Sequence, residues 1–333
     1  MSSQAESILR QRCHGLYLSR PCSDIVVLSR ELLGLHCWFH RNVAFSALIR
    51  GAELSGWQTA LTKTWLYRGT LHGVVYDELP KLLALHREET WLGRFYDERT
   101  LADIAERVIQ CMEDGVYSRA EMRKIFACDY EPKVIEAMFS PWGGIFVYLA
   151  KLGKVAFRDM TSRDFDMIDA APAGARMDVL PELLRRYFKT YGPATLDDAA
   201  YFFGFMREDR KLLQSIPLDE YERFELDRKV YYHCGEPSDM GGIPELTLLS
   251  GFDPLIVSYV GRSAVLPAEY KKRVILSSGI CLPTVAVNGR VAGLWNLRKG
   301  EPVVEFFEAQ PKRMETRAYE LADDIRWQTA GRV

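Results

Sequence analysis

A chain of 333 residues is long enough to bury a sizeable core and to divide into two to four modules. With 48% apolar and 26% charged residues it has the composition of an ordinary soluble globular protein, which excludes wholesale disorder. A formal net charge of −2 argues against indiscriminate coating of nucleic acid, although it says nothing about local basic patches.

From Ala5 to His14, the residues Ile8, Leu9 and Cys13 give a short amphipathic helix. Arg20-Pro21 ends the next segment before Ser23, which reads as the N-cap of a helix running to about Leu33. Leu35 to Phe39 is ambiguous between extended and helical, whereas after Arg41 the period is helical, with Val43, Ala44, Ala47 and Leu48 inward and Gly51 closing it. Ser55 to Thr64, with Trp57, Leu61 and Trp65 at spacing four, predicts a further helix. Leu66 to Val75 alternates and is rich in Thr, Val and Tyr, so it predicts a strand or a strand pair around Gly69. Helices followed by a hairpin are the order of a winged helix.

The order recurs. Leu101 to Met112, Arg119 to Phe126 and Lys133 to Phe139 predict three helices, and Phe146 to Phe157, with Gly153 in the middle, predicts a hairpin. Pro172, Ala173 and Gly174 form a turn-rich boundary after the acidic run from Asp164 to Asp169. Val179 to Thr190, then Leu196 to Phe203 behind a capping Thr195, then Arg207 to Ile216 predict helices, and Leu218 to Tyr232 supplies a third wing. From Leu246 onward the runs are β-branched and aromatic. Asn288-Gly289 is the strongest hairpin signal, because both residues tolerate the positive φ of a type I′ turn, and Glu315 to Trp327 predicts a closing helix. The fold class expected is α+β: three tandem winged helix-turn-helix motifs at residues 1–100, 101–170 and 175–240, then a β-rich C-terminal region at 245–333.

Seven cysteines are scattered without a Cys-x-x-Cys pair, which implies a reducing compartment and no structural zinc. The N-terminus lacks the apolar core of a signal peptide, and no stretch approaches the ~20 apolar residues that cross a bilayer. The expectation is a cytoplasmic protein without membrane attachment. No Walker loop, GxGxxG, HExxH or GxSxG pattern is present, so no nucleotide cofactor is implied and the common hydrolase routes have no support.

Chemistry concentrates between Leu33 and Val75. Four of the six histidines lie between His36 and His86. His36 and His40 would share one face of a helix, and His36, Trp38 and His40 one face of a strand. An imidazole pair can ligate metal or serve as acid and base near neutrality. The nearest carboxylates are Glu31 and Glu53, too sparse to complete a metal set, so no metal is expected. Trp38 is a core residue or a stacking platform for a base. Arg68, Thr70 and His72 alternate on one side of the expected strand, where the edge is either wet or in contact with phosphate. His14, His86 and His233 form no constellation. The basic clusters Arg185, Arg186 and Lys189, then Lys271, Lys272 and Arg273, then Lys312, Arg313 and Arg317 are either solvated faces or phosphate sites.

Three stretches, taken together, carry a family resemblance: TWLYRGTLHGVVYDELPKLLAL at 64–85, LLSGFDPLIVSYVGRS at 248–263 and PTVAVNGRVAGLW at 283–295. In this order they resemble the bacterial winged-helix DNA-binding family that contains the AlkZ and YcaQ DNA glycosylases. The resemblance implies three winged helices forming a concave saddle, a β-rich C-terminal region, double-stranded DNA as partner, alkylated duplex included, and excision of bulky or cross-linking N-alkylpurines. It also places the family's catalytic Gln-x-Gln or Gln-x-Asp pair on His36 and Trp38, so that neither glutamine is present. His36 would then position or activate water, Trp38 would stack on the lesion or sugar, and His40, Arg41, Arg68, Thr70 and His72 would hold DNA. The alternatives are a non-catalytic winged-helix lesion sensor or regulator, and a protein-interaction scaffold.

Overall fold

A computed structural model describes residues 3–85, 91–206, 209–235 and 240–331. The chain forms two compact units, Met1–Trp57 with Pro181–Val333, and Gln58–Leu180. The class is α+β, with helices and antiparallel sheets in both units.

In the discontinuous unit, helix Ser3–Gly15 buries Ile8, Leu9 and Cys13, the face that their spacing predicts. Helix Ile25–Glu31 starts one residue later than expected. The Asp24 carboxylate, rather than Ser23, accepts from the Val26 and Val27 amides at 2.7 and 3.3 Å, because a charged acceptor meets the helix dipole more favourably than a hydroxyl. The chain leaves it through Leu33 and Gly34, both at positive φ, and Leu35–His36 is extended, which resolves the ambiguity of that stretch. Helix His40–Ile49 follows.

After residue 181 the unit continues with the later turns of helix Arg176–Tyr191 and then Leu196–Phe203. Thr195 caps the latter in a reciprocal capping box with Asp198, and Gly204 at φ 74° ends it. A helix spans Arg210–Gln214; Arg207, where that helix was expected to begin, lies outside the described residues. Strands Glu222–Leu226 and Lys229–His233 pair across Asp227 and Arg228, both left-handed, at φ 51° and 60°.

The C-terminal strands form an antiparallel sheet in the order Glu301–Phe306, Arg290–Arg298, Thr284–Val287, Leu246–Leu249. Asn288 and Gly289 turn it at φ 47° and 73°, as a type I′ hairpin requires. Helix Lys312–Thr329 closes the sheet through Ala318, Ala322 and Ile325, packed with Phe45, Leu248, Val285 and Trp295. The stretch after Ser250 departs from the β reading, since Pro254–Val257 is a helical turn.

In the second unit the strands run Leu71–Val74, Thr62–Trp65, Val155–Phe157, Phe165–Met167, all antiparallel. Two expectations fail here. The helix expected over Ser55 to Thr64 is confined to Trp57–Ala60, and Thr62–Trp65 is instead the hairpin partner of Leu71–Val74. Conversely, the hairpin expected from Phe146 begins as helix Ile145–Lys151, and the strands are Val155–Phe157 and Phe165–Met167. Ile145, Phe146, Val147, Leu149 and Ala150 are buried on nearly all sides, so core packing overrides their β propensity. Helices Glu98–Glu113, Arg119–Phe126 and Pro132–Met138 occur as predicted and pack on a core with Trp65, Phe126, Phe139, Phe146 and Phe165. Gly144 admits no side chain, since a Cβ there would stand 2.0 Å from the Met138 carbonyl oxygen.

Candidate functional site

His36 ends the short extended segment and Trp38 lies two residues on, both half-buried, with Cys37 fully buried between them. The extended backbone ends at His36, and Trp38 lies in the bend that leads into the next helix. The His36 imidazole lies parallel to the Phe252 ring, with centroids 4.1 Å apart and planes 8° apart. Its Nδ1 accepts from the Trp38 amide in a long contact of 3.4 Å. In the neutral ring this leaves the proton on Nε2. His40 and Arg41 occupy the first turn of helix His40–Ile49, whose N-cap, Phe39, offers no side-chain acceptor. Backbone N–H groups and the Arg41 cation thus share one helix end, a setting that favours an anion.

Phe252 sits in a turn with two further holds on this segment. A Cβ on Gly251 would come within 2.8 Å of Asn42 Oδ1, so a side chain there would have to displace the Asn42 amide from the turn. Next to Phe252, Asp253 caps helix Pro254–Val257 and also accepts from Arg50 Nη1 and Nη2 at 3.1 and 3.0 Å, both partners being fully buried. Arg50 further donates through Nε to the Leu16 carbonyl at 2.8 Å and through Nη1 to Ser46 Oγ at 3.0 Å. The cap role of Asp253 is legible in Asp-Pro; its partner, 203 residues away, is not.

Arg68, Thr70 and His72 belong to the other unit: Arg68 and Thr70 lie in the turn between Trp65 and Leu71, and His72 in the strand that follows, opposite Thr64. Arg68 is partly exposed and left-handed, at φ 56°. Thr70 fastens the turn, donating through both Oγ1 and its amide to the Tyr67 carbonyl at 2.9 and 3.0 Å. His72 is only 5% exposed and meets the Tyr67 ring edge-on at 5.2 Å. Its Nδ1–H donates to the Thr70 carbonyl at 3.0 Å. Burial, assisted by the nearby Arg68 cation and opposed by that hydrogen bond, pulls the imidazole from its ordinary 6.5 to about 3. His72 therefore offers no cation to a phosphate, and its contribution is to the shape of the turn that carries Arg68.

Elsewhere the charges are largely matched. Arg185 meets Glu220 at 3.7 Å, Lys189 meets Glu31 at 3.3 Å, Arg273 meets Glu305 at 2.7 Å and Arg317 meets Glu320 at 3.2 Å, while Arg313 pairs with Glu245. Carboxylates thus lie beside members of each cluster. Burial pushes the Cys13 and Cys281 thiols up to about 12, which removes them as nucleophiles. Among the described residues no three His, Cys, Asp or Glu side chains converge as a metal site, and no helix is long and apolar enough to cross a membrane.

Residues 57–323 match the family described as DNA glycosylase AlkZ-like. The chain belongs to the AlkZ-like DNA glycosylase family. The interstrand DNA cross-link repair glycosylase of Streptomyces sahachiroi is 25% identical to this AlkZ-like chain over 272 residues, 74% of the chain and 73% of the relative. The solved structure of the Streptomyces sahachiroi DNA glycosylase AlkZ shares its fold, with a TM-score of 0.77 at 20% identity over 98% of this chain and 97% of that one. The family match opens at Trp57, so His36 and Trp38 of the AlkZ-like chain precede it.

Proposed function

We propose that this AlkZ-like protein is a monofunctional DNA glycosylase for bulky or cross-linking N-alkylpurines, acting in the cytoplasm on double-stranded DNA without metal or nucleotide cofactor. Three winged helix-turn-helix motifs, at residues 1–100, 101–170 and 175–240, present it to the duplex. The observation that carries the reading is a half-buried, oriented imidazole at His36 in a chain of glycosylase family. The cross-link substrate of the Streptomyces sahachiroi relative supports the lesion class.

The chemistry asks little of the protein. An N7- or N3-alkylated purine is already cationic, so when its bond to C1′ breaks the electron pair neutralises the base and the sugar takes the positive charge. What remains is to place one water at C1′ and to shield the oxocarbenium-like sugar. His36 holds or activates that water, and Trp38 supplies a flat face for lesion or sugar. His40 and Arg41, at the helix start, and Arg68, at the hairpin, contact phosphates. Thr70 and His72 keep the Arg68 turn in shape. A bulky adduct need not be swung fully into a pocket, unlike the targets of most base-acting enzymes.

One observation favours a second reading. The resemblance puts His36 and Trp38 where the family carries its Gln-x-Gln or Gln-x-Asp pair, and an indole has only a donor where an amide has an acceptor. A relative that binds lesions without excising them would show salt-sensitive duplex binding and no base release. Base release from an N7-alkylated duplex by the wild type, lost in His36→Ala, tests the glycosylase reading; no release, or equal release from both, defeats it.

A further inference from the structure

The His36–Phe252 contact joins residues from distant parts of the chain, and Phe252 stands in a backbone conformation that bulky side chains avoid. Its φ is 57°, in the left-handed region. Such a residue persists only where its surroundings over-determine it. Here the surroundings are explicit. The Phe252 amide donates to the Cys281 carbonyl at 3.2 Å. The flanking Gly251 lies against the Asn42 amide, which a Cβ there would have to displace. On the other side, the Asp253 carboxylate takes two hydrogen bonds from Arg50, one from the Leu255 amide at 3.1 Å, and two from Ser250, through its amide and Oγ, each at 3.3 Å.

These holds close a loop of structure. Asn42 is in the first turn of helix His40–Ile49 and Arg50 is at its end, so the turn 250–253 grips the helix that follows His36 at both ends. The third contact is the Phe252 ring, laid flat on the imidazole. A flat stack fixes the plane of the His36 ring, and the Trp38 amide then selects which nitrogen accepts, provided that plane is kept.

Resting on the glycosylase reading above, we infer that Phe252 is a positioning residue for His36: it holds the plane of the imidazole with Nδ1 against the Trp38 amide, the orientation in which the ring serves the attacking water. The water oxygen bonds to C1′ as the base departs with the C1′–N electron pair, and the proton shed by the water passes to solvent.

The test compares the full chain as wild type, Phe252→Ala and Phe252→Tyr. Long-range proton–nitrogen correlation spectra read the histidine tautomers, with the His36 signals assigned by their loss in His36→Gln. Wild type and Phe252→Tyr are expected to show His36 as a single neutral form protonated at Nε2, and Phe252→Ala as a mixture of both tautomers. Single-turnover base release is expected to fall about tenfold to a hundredfold in Phe252→Ala and to stay within about twofold in Phe252→Tyr, with duplex affinity unchanged in both. Where Phe252→Ala fails to fold, Phe252→Leu, which keeps apolar bulk and removes the aromatic face, gives the same comparison. A wild-type His36 spectrum in the folded Ala or Leu variant overturns the proposal. A tautomer signature that is present in the wild type and lost in the variant, with no base released by either, supports the positioning role and defeats the glycosylase reading.

Discussion

The His72 imidazole, pulled by burial from 6.5 to about 3, is neutral in the folded protein near neutral pH and takes up a proton readily only when the chain unfolds. Between those values the unfolded state binds more protons, so stability contributed by the neutral ring is complete above about 6.5 and falls as the pH drops through the window. At pH 5 the loss comes to about 2 kcal/mol. Urea unfolding at about pH 7.5 and pH 5 is expected to show it in the wild type and to show less in His72→Gln; equal losses in both would remove His72 from the explanation. His36 differs in being half-exposed and oriented. An amide offers an acceptor and donors without a charge, so His36→Gln is expected to keep base release within about tenfold of wild type, measured in single turnover, where His36→Ala loses it.

At the scale of elements, the hairpin of Thr62–Trp65 and Leu71–Val74 turns through a left-handed Arg68. Arg68→Gly suits that backbone and deletes the cation, so duplex binding is expected to weaken and the slope of log affinity against log salt to shrink by about one. An unchanged slope would take Arg68 off the phosphate backbone. Local signals were legible wherever chemistry and conformation coincide in a few residues. Thr195 with Asp198 is a capping box, and Asn288-Gly289 is a type I′ turn; both stand where their residue types predict. Ile145–Lys151 departs from the strand reading because an apolar run has no period of its own when nearly every side is buried, and Thr62–Trp65 departs from the helical reading because it pairs with a neighbouring strand. There the choice between strand and helix is made by partners that the sequence does not name, Leu71–Val74 in one case and the core around Phe126 and Phe165 in the other.

At the scale of the whole molecule, one unit is assembled from both ends of the chain, and the Arg50–Asp253 pair ties them. Asp253→Asn leaves a fully buried guanidinium without its counter-charge and is expected to cost about 3–5 kcal/mol, read as a lowered urea midpoint. A loss under about 1 kcal/mol would show that the pair adds little to that assembly. The candidate site was legible as a place, since His36 and Trp38 stood out by composition and by family resemblance. Its construction was not, because Phe252 and Arg50 reach it only through contacts that form on folding. Membership of the AlkZ-like family is carried by residues 57–323, whereas the proposed chemistry rests on His36, which precedes them. The most direct measurement is therefore single-turnover base release from an N7-alkylated duplex, wild type against His36→Ala, at matched DNA occupancy. Release by the wild type, and its loss in a variant that still binds DNA, is the result predicted; no release by either protein, or equal release by both, would contradict it.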